Sequence, residues 1–281
     1  MQKFAWITDS TCGLSEEFIK EHDIYVLPLS VIINGVSYKE DIEISKEQVY
    51  EKLQEHGEGA TTSQPAFGEF IDLYEELKEK YDYGIAIHAS KALTGTYESS
   101  IIASEQTGFP VEVIDSKIGA YALGKMIKNG IELEEQGKTY EEIVAKLRTY
   151  PDQAEMFLLP SSFDQMKRSG RVSTSQAVFA SLLNINLILG FDDGAVVVKE
   201  KVRTKKRAER RFFQIISDAV EKYQLNEICV MHAGVIDRAH KWKEEIEDMH
   251  EQLKVKIETL VPVAGVHAGH GTMSVAWLKT K

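Results

Sequence analysis

From Phe4 to about residue 136, short apolar runs alternate with amphipathic stretches, and this alternation restricts the fold more than any other feature of the chain. "FAWITDS", "YGIAIHA" and "PVEVIDS" read as strands, and their mostly apolar character is that of strands covered on both faces. Between them lie helical stretches. "LSEEFIKEH" has Ser15 as its N-cap, and "SKEQVYEKLQEHG" is opened by Ser45. "TTSQPAFGEFIDLYEELKEKY" reads as a polar loop feeding a longer helix. "YESSIIASEQTG" begins a helix near Tyr97, and "GAYALGKMIKNGIELEEQG" supplies another. "IYVLPLSVIING" and "VSYKEDIEI" are extended segments around Asn34-Gly35, a strong hairpin signal. Repeated strand–helix units of this kind imply a parallel sheet wrapped by helices.

Ligands of such sheets sit beyond the carboxyl ends of the strands. Two hydroxyl clusters fall there, Thr8 to Thr11 and Ser90 to Thr96. The second, in "HASKALTGTYESS", combines hydroxyls with Gly95 at a strand-to-helix turn, where the unpaired N–H groups of a helix start can hold an anion.

The pattern changes after about Pro151. "AEMFLLPSS" and "NINLILG" read as strands separated by the polar "DQMKRSGRVSTSQ". "LILGFDDGAVVVKEKVR" is a hairpin turned at Asp193-Gly194, and a basic helix follows in "TKKRAERRFFQIISDAVEKY". Strand "EICVMHAG", helix "IDRAHKWKEEIEDMHEQL", strand "KIETLVPV" and strand "TMSVAWLK" complete the chain. The expected fold class is therefore α/β. An N-terminal parallel-sheet α/β domain over residues 1–150 precedes a C-terminal α+β domain over residues 151–281. A chain of 281 residues is long enough to fill two such cores.

Composition removes several function classes. No run of eighteen apolar residues marks a membrane span, and the N-terminus lacks a signal-peptide pattern, so a cytoplasmic protein is expected. Two cysteines make no disulfide framework; Cys12 reads as a turn residue and Cys229 as core. A formal net charge of −11 argues against general nucleic-acid binding.

The chemical motifs are mostly negative. "GAYALGKM" matches a phosphate-binding G-x-x-x-x-G-K, but Met126 stands where a magnesium-binding hydroxyl is needed, and the intervening residues favour helix. There is no G-x-S-x-G nucleophile elbow. "GVHAGHGTMSV" places His267 and His270 in a glycine-rich turn between two apolar strands, without a cysteine or carboxylate to complete a metal site. Taken alone, that turn is a tight hairpin with an exposed histidine. "KVRTKKRAERR" sets seven basic residues around the start of a helix, where the helix dipole disfavours them, which points to an anion or an acidic partner nearby. "MKRSGRVS" adds Lys167, Arg168 and Arg171.

In order along the chain, "ITDST", "TTSQP", "SKALTGTYESS", "VIDS", "SFDQMKRSGRVS", "VRTKKRA" and "GVHAGHGT" resemble the DegV family of bacterial lipid-binding proteins. Two departures stand out. Family members often have Ser-Gly-Thr where this chain has Thr94-Gly95-Thr96, and proline where it has His270. The resemblance implies one long-chain fatty acid bound between the two domains, with no other cofactor and no metal. Its carboxylate would meet Thr62, Thr94 and His267, supported by Ser63, Gly95, Thr96 and Arg203, with Arg203 near His267. The implied partner is a separate ATP-dependent fatty acid kinase that makes an acyl phosphate for phospholipid synthesis. The cations Lys205, Lys206, Arg207, Arg210 and Arg211 are the expected docking face for it. In the carrier reading this chain needs no catalytic residue; a monomer with transient membrane contact is expected. A second reading, an independent hydrolase of acyl or phosphate esters, lacks a nucleophile elbow, a phosphate loop and a metal set.

Overall fold

Four strands form the first sheet in the order β2 (Tyr25–Leu27), β1 (Phe4–Asp9), β6 (Tyr83–His88), β7 (Val111–Asp115), all parallel. The computed structural model of the chain describes residues 3–56, 59–161, 170–172 and 185–279. Every residue of β1 is buried, because helices cover both faces of this sheet. Ala5 and Ile7 pack with Phe70, Tyr74 and Leu77 of helix α3 (Phe67–Lys78) and with Ala103 of α4 (Thr96–Thr107). Phe4 and Trp6 point the other way, into a cluster with Leu123, Met126 and Ile127 of α5 (Ala120–Glu135). The period of two along β1 thus serves two cores. The helices capped by Ser15 and Ser45 also form, as α1 (Glu16–Glu21) and α2 (Lys46–His56). A further helix, α6 (Tyr140–Leu147), lies outside the sequence reading; it opens with a capping box between Thr139 and Glu142.

The hairpin at Asn34-Gly35 joins β3 (Ser30–Ile33) to β4 (Val36–Lys39), with both turn residues at positive φ. Two local readings are corrected here. The segment "VSYKEDIEI" is not one extended run: the strand stops at Lys39, and Asp41 turns the chain at φ 58°. "TTS" is not a loop. Thr61–Ser63 forms β5, which pairs with the inner strand of the hairpin so that Thr62 faces Val31. β-Branched threonines suit such an edge strand, and the pairing fixes where Thr62 stands.

The second half builds a six-stranded sheet. Its order is β10 (Ala195–Val202), β9 (Asn186–Asp192), β8 (Ala154–Leu159), β13 (Met273–Leu278), β11 (Glu227–His232), β12 (Lys254–Thr259), and only β11 and β12 run parallel. Helices α7 (Lys205–Tyr223) and α8 (Ile236–Met249) cover one face, where Phe212, Ile216, Trp242 and Ile246 pack on Ile228, Val230, Val275 and Trp277. The other face sends Met156, Leu158, Leu189, Met231 and Ala276 into the same cluster that holds Phe4, Trp6 and α5. The two large sheets therefore share one core. The Asp193-Gly194 hairpin crosses between them: Ser90 Oγ donates to the Gly194 carbonyl at 2.8 Å, and Lys117 pairs with Asp193 at 2.9 Å and Asp152 at 3.0 Å.

The glycine-rich segment around His267 is not a hairpin turn. Pro262–Ala268 is a short helix, α9, with proline in its first turn, where the missing N–H costs nothing. Gly265 lies on the Tyr50 ring; a Cβ there would come within 2.2 Å of the Tyr50 hydroxyl oxygen. This glycine serves packing. Among the described residues no helix is long and apolar enough to cross a membrane.

The G-x-x-x-x-G-K match has the same explanation. Gly119 precedes α5 and Gly124 lies inside it, where a Cβ would meet the Cys12 carbonyl oxygen at 2.4 Å. Overpacking against backbone costs about 1–3 kcal/mol. Gly124→Ala should lower the unfolding free energy by that amount, read as a lower urea midpoint with an unchanged slope. An unaltered midpoint would mean that α5 can shift freely away from the Cys12 loop.

Candidate functional site

Between the two large sheets lies a cavity of about 990 Å³, mouth included. Its walls are apolar and come from both halves: Leu29, Ile118, Met156, Leu158, Phe191 and Val263 are among them. Its polar lining is concentrated in a few groups, Thr62, Ser63, Gln64, Thr94, His267 and Arg171, with Thr11 from the end of β1. An apolar pocket with few convergent polar groups is the usual form of a small-molecule site.

Of the residues expected from sequence, Thr62, Ser63, Thr94, Gly95 and His267 line this cavity. Thr62 Oγ1 and His267 Nε2 are 2.9 Å apart, a hydrogen bond spanning 205 residues of sequence. Thr96 is fully buried behind the wall and shares a 2.8 Å hydrogen bond with the Thr94 hydroxyl. Gly95 precedes the first turn of α4, and Gln64 lies directly over it: a Cβ at Gly95 would meet Gln64 Oε1 at 2.3 Å. Gln64 donates to Ser99 Oγ at 2.9 Å, which ties the "TTSQP" strand end to α4.

Arg203 is not brought to His267. It is exposed at the end of the β9–β10 hairpin and does not line the cavity. The cation that acts on His267 is Arg171, itself exposed and part of the lining. Lys167 and Arg168 of the same loop lie outside the described residues. Burial first, then the Arg171 charge, pushes the His267 pKa down to about 4, so its imidazole is neutral at pH 7. Lys205, Lys206, Arg207 and Arg210 are exposed on the first turns of α7, ahead of its buried Phe212 and Phe213. Arg211 differs, being held by Glu200 at 2.8 Å and Asp218 at 3.6 Å.

Behind the cavity stand residues that the motifs did not single out for a role. Asp9 has no exposed surface; its carboxylate accepts from Thr11 N–H, the Thr11 hydroxyl, Ala89 N–H and His88 Nδ1. Burial alone would raise its pKa, but the His88 and Thr11 interactions with the Ala89 bond outweigh that and hold it below the ordinary value. Glu40 is equally hidden. It accepts from Ser10 Oγ and, at 2.8 Å, from Val263 N–H in the first turn of α9. Burial, with Asp41 and Asp9 adding to it, lifts the Glu40 pKa to about 7 against these two bonds. Among the described residues no group of three or more His, Cys, Asp or Glu is placed to hold a metal ion.

Comparison with known proteins gives a consistent result. The family model described as "Uncharacterised protein, DegV family" matches residues 3–280. A DegV domain-containing protein of Listeria innocua is 34% identical over 278 residues, 98% of each chain. The crystal structure of DegV from Bacillus subtilis, described as a fatty acid binding protein, matches with a TM-score of 0.89 at 32% identity over 99% of each chain. A fatty acid binding DegV family protein from Streptococcus agalactiae matches with a TM-score of 0.91 at 26% identity over 100% of each chain.

Glu40 and His267 oppose each other in their effect on stability. His267 is depressed from 6.5, so its contribution is present above pH 6.5 and lost as pH falls through about 4. Glu40 is raised from 4.5, so its contribution is complete below pH 4.5 and lost as pH rises through about 7. Over their common window the slopes have opposite sign. Glu40→Gln removes one of them, and its stability should rise more steeply with pH between 4.5 and 6.5 than that of the parent. Urea midpoints across that window measure it; parallel profiles would show that Glu40 does not titrate abnormally.

Proposed function

The chain belongs to the DegV family, and on that premise we propose that it holds one long-chain fatty acid in the cavity between residues 1–150 and 151–281 and presents the carboxylate to a separate ATP-dependent kinase. The observation that carries this reading is the meeting of Thr62 and His267 at the polar part of an otherwise apolar cavity, with Thr94 and Arg171 in the same lining. The division of labour is physical. Burying an alkyl chain yields about 0.8 kcal/mol per CH₂, on the order of 10 kcal/mol gross for a palmitate-sized chain, before ordering and association costs. The hydroxyls and the neutral imidazole add orientation. They supply donors to a carboxylate without a fully buried ion pair, since Arg171 keeps contact with water.

In this reading the carboxylate oxygen is itself the nucleophile, so the protein's task is to fix that oxygen within reach of a phosphate donor bound elsewhere. Thr62 orients His267 through Nε2, and Thr96 orients the Thr94 hydroxyl. The exposed cations Lys205, Lys206, Arg207 and Arg210 supply a positive face for an acidic partner. Arg211 contributes less, because Glu200 and Asp218 already neutralise it. The hydrolase reading has no observation in its favour. The buried histidine–aspartate pair does not face the cavity through its imidazole. The Thr11 hydroxyl donates to Asp9 and not to His88, the reverse of what an activated nucleophile needs.

Native mass spectrometry of the protein purified from cells should find a long-chain fatty acid at one per chain. Thr94→Val should weaken its binding about ten- to a hundredfold, the loss of one hydrogen bond to a charged group worth about 1.5–3 kcal/mol. An empty protein that turns over esters would refute the carrier, and unchanged affinity in a folded Thr94→Val would remove that hydroxyl from the head group.

With the cognate kinase and ATP, His267→Ala should lose more acyl-phosphate formation than bound lipid, because the alkyl chain carries most of the affinity. Lys206→Glu with Arg207→Glu should slow the same reaction, most at low salt, without releasing lipid. Full transfer by either variant would remove that part from the proposal.

A further inference from the structure

Glu40 has no part in the carrier reading, yet it is among the most deeply buried ionisable side chains described, at 1% exposure. Its two oxygens face different parts of the cavity wall. Oε1 accepts from the N–H of Val263, and Oε2 accepts from the hydroxyl of Ser10. Ser10 Oγ in turn accepts from the N–H of Leu29 at 3.0 Å. Leu29 and Val263 both line the cavity, and Val263 lies four residues before His267, on the same side of α9.

Helix α9 has only seven residues and little cooperativity of its own, so its position is set by the groups that hold it. Three side chains from the first half do so. Thr62 meets His267 at its end, the Tyr50 hydroxyl donates to the Leu260 carbonyl at 2.7 Å just before its start, and Glu40 takes an N–H of its first turn. Glu40 is the acidic one of these three; its carboxyl oxygen accepts the free N–H of the helix start, and its ionised form also complements the dipole. Its surroundings do not favour its charge: burial comes first, Asp9 and Asp41 are like charges, and Tyr50, made hard to ionise by burial and then by Glu40, supplies no opposite charge. Burying an acid beside like charges is costly, and the two hydrogen bonds that bridge α9 to the Ser10 turn are what it provides in return.

We infer that Glu40 is a positioning residue for His267, fixing the first turn of α9 so that the imidazole stands in the cavity wall where a ligand carboxylate meets it. The inference rests on the carrier reading for what His267 binds, but not for where His267 lies. It places a determinant of head-group binding in the turn after β4, more than two hundred residues from the histidine and outside the cavity lining.

The test compares Glu40→Gln, which keeps an acceptor for Val263 N–H, with Glu40→Val, which does not. The first readout needs no ligand. In the parent, the His267 ring, assigned by its absence in His267→Ala, should show no NMR titration between about pH 6 and pH 8, where an unperturbed histidine would titrate. Glu40→Gln should behave like the parent. In Glu40→Val the ring, no longer held in its buried place, should titrate within that range. The second readout is palmitate affinity, expected to fall at least about tenfold in Glu40→Val and to be largely restored in Glu40→Gln. Should Glu40→Val fail to fold, Glu40→Asp, which keeps the charge but shortens the reach, carries the same two readouts. A folded variant lacking the bridge, with a silent His267 and parent-like affinity, would overturn the inference. If the parent binds no palmitate at all, the carrier reading fails, and the His267 titration alone decides the role of Glu40.

Discussion

The arrangement of the site depends on one buried carboxylate. Asp9, at the last position of β1, accepts four hydrogen bonds from three residues that lie on two different strand ends. Without it the N–H groups of Thr11 and Ala89 and the ring of His88 would be left in an apolar interior, each at the cost of an unmade hydrogen bond. With it, the turn after β1 and the turn after β6 are locked to each other. Thr11 on the first turn, and Leu93, Thr94 and Gly95 beyond the second, then take their places in one wall of the cavity. The parallel sheet supplies the two strand ends, and the carboxylate fixes the turns that leave them.

Polar ties attach the second half to this frame, Lys117 to Asp193 and Tyr121 to Glu227 among them, and four others bear on the cavity. Ser90 holds the β9–β10 hairpin by the Gly194 carbonyl, Tyr50 and Glu40 hold the approach to α9 and its first turn, and Thr62 holds its last. Around these ties runs an apolar core common to both sheets. A cavity within such a core stays open because its walls belong to rigid elements that cannot slide inward without breaking these ties. The glycines obey the same logic. Gly95, Gly124 and Gly265 each lie where another group occupies the space of a Cβ, so they record close packing and not freedom of movement.

Much of this was legible from residue types. The alternation of buried strands and helices, the hairpins at Asn34-Gly35 and Asp193-Gly194, and the caps at Ser15 and Ser45 are local signals, and local chemistry decides them. The strand at Thr61–Ser63 was not legible, because three residues carry no period and its partner, β3, lies some thirty residues away. The helix at His267 was misread because its glycines resemble a turn; Pro262, which opens it, was the available signal. The helix beginning at Tyr140 had a capping box in Thr139 and Glu142 and was legible in principle. Arg203 shows the limit of carrying a residue over by resemblance: which cation acts on His267 is settled by how the halves meet, and in this chain it is Arg171.

The bond between Ser90 and Gly194 joins residues 104 apart. A ribosome adding about 5–20 residues per second needs roughly 5–20 s to travel that distance. Within that interval, once β7 and Ile118 have been made, the N-terminal sheet can form, but Leu29, Leu93 and Ile118 lack a complete opposite wall. The inside of the cavity is then an outer surface, presented to the cell before the second half exists to cover it. The order of synthesis thus gives the nascent protein an exposed apolar face, and the completed chain turns the same face inward.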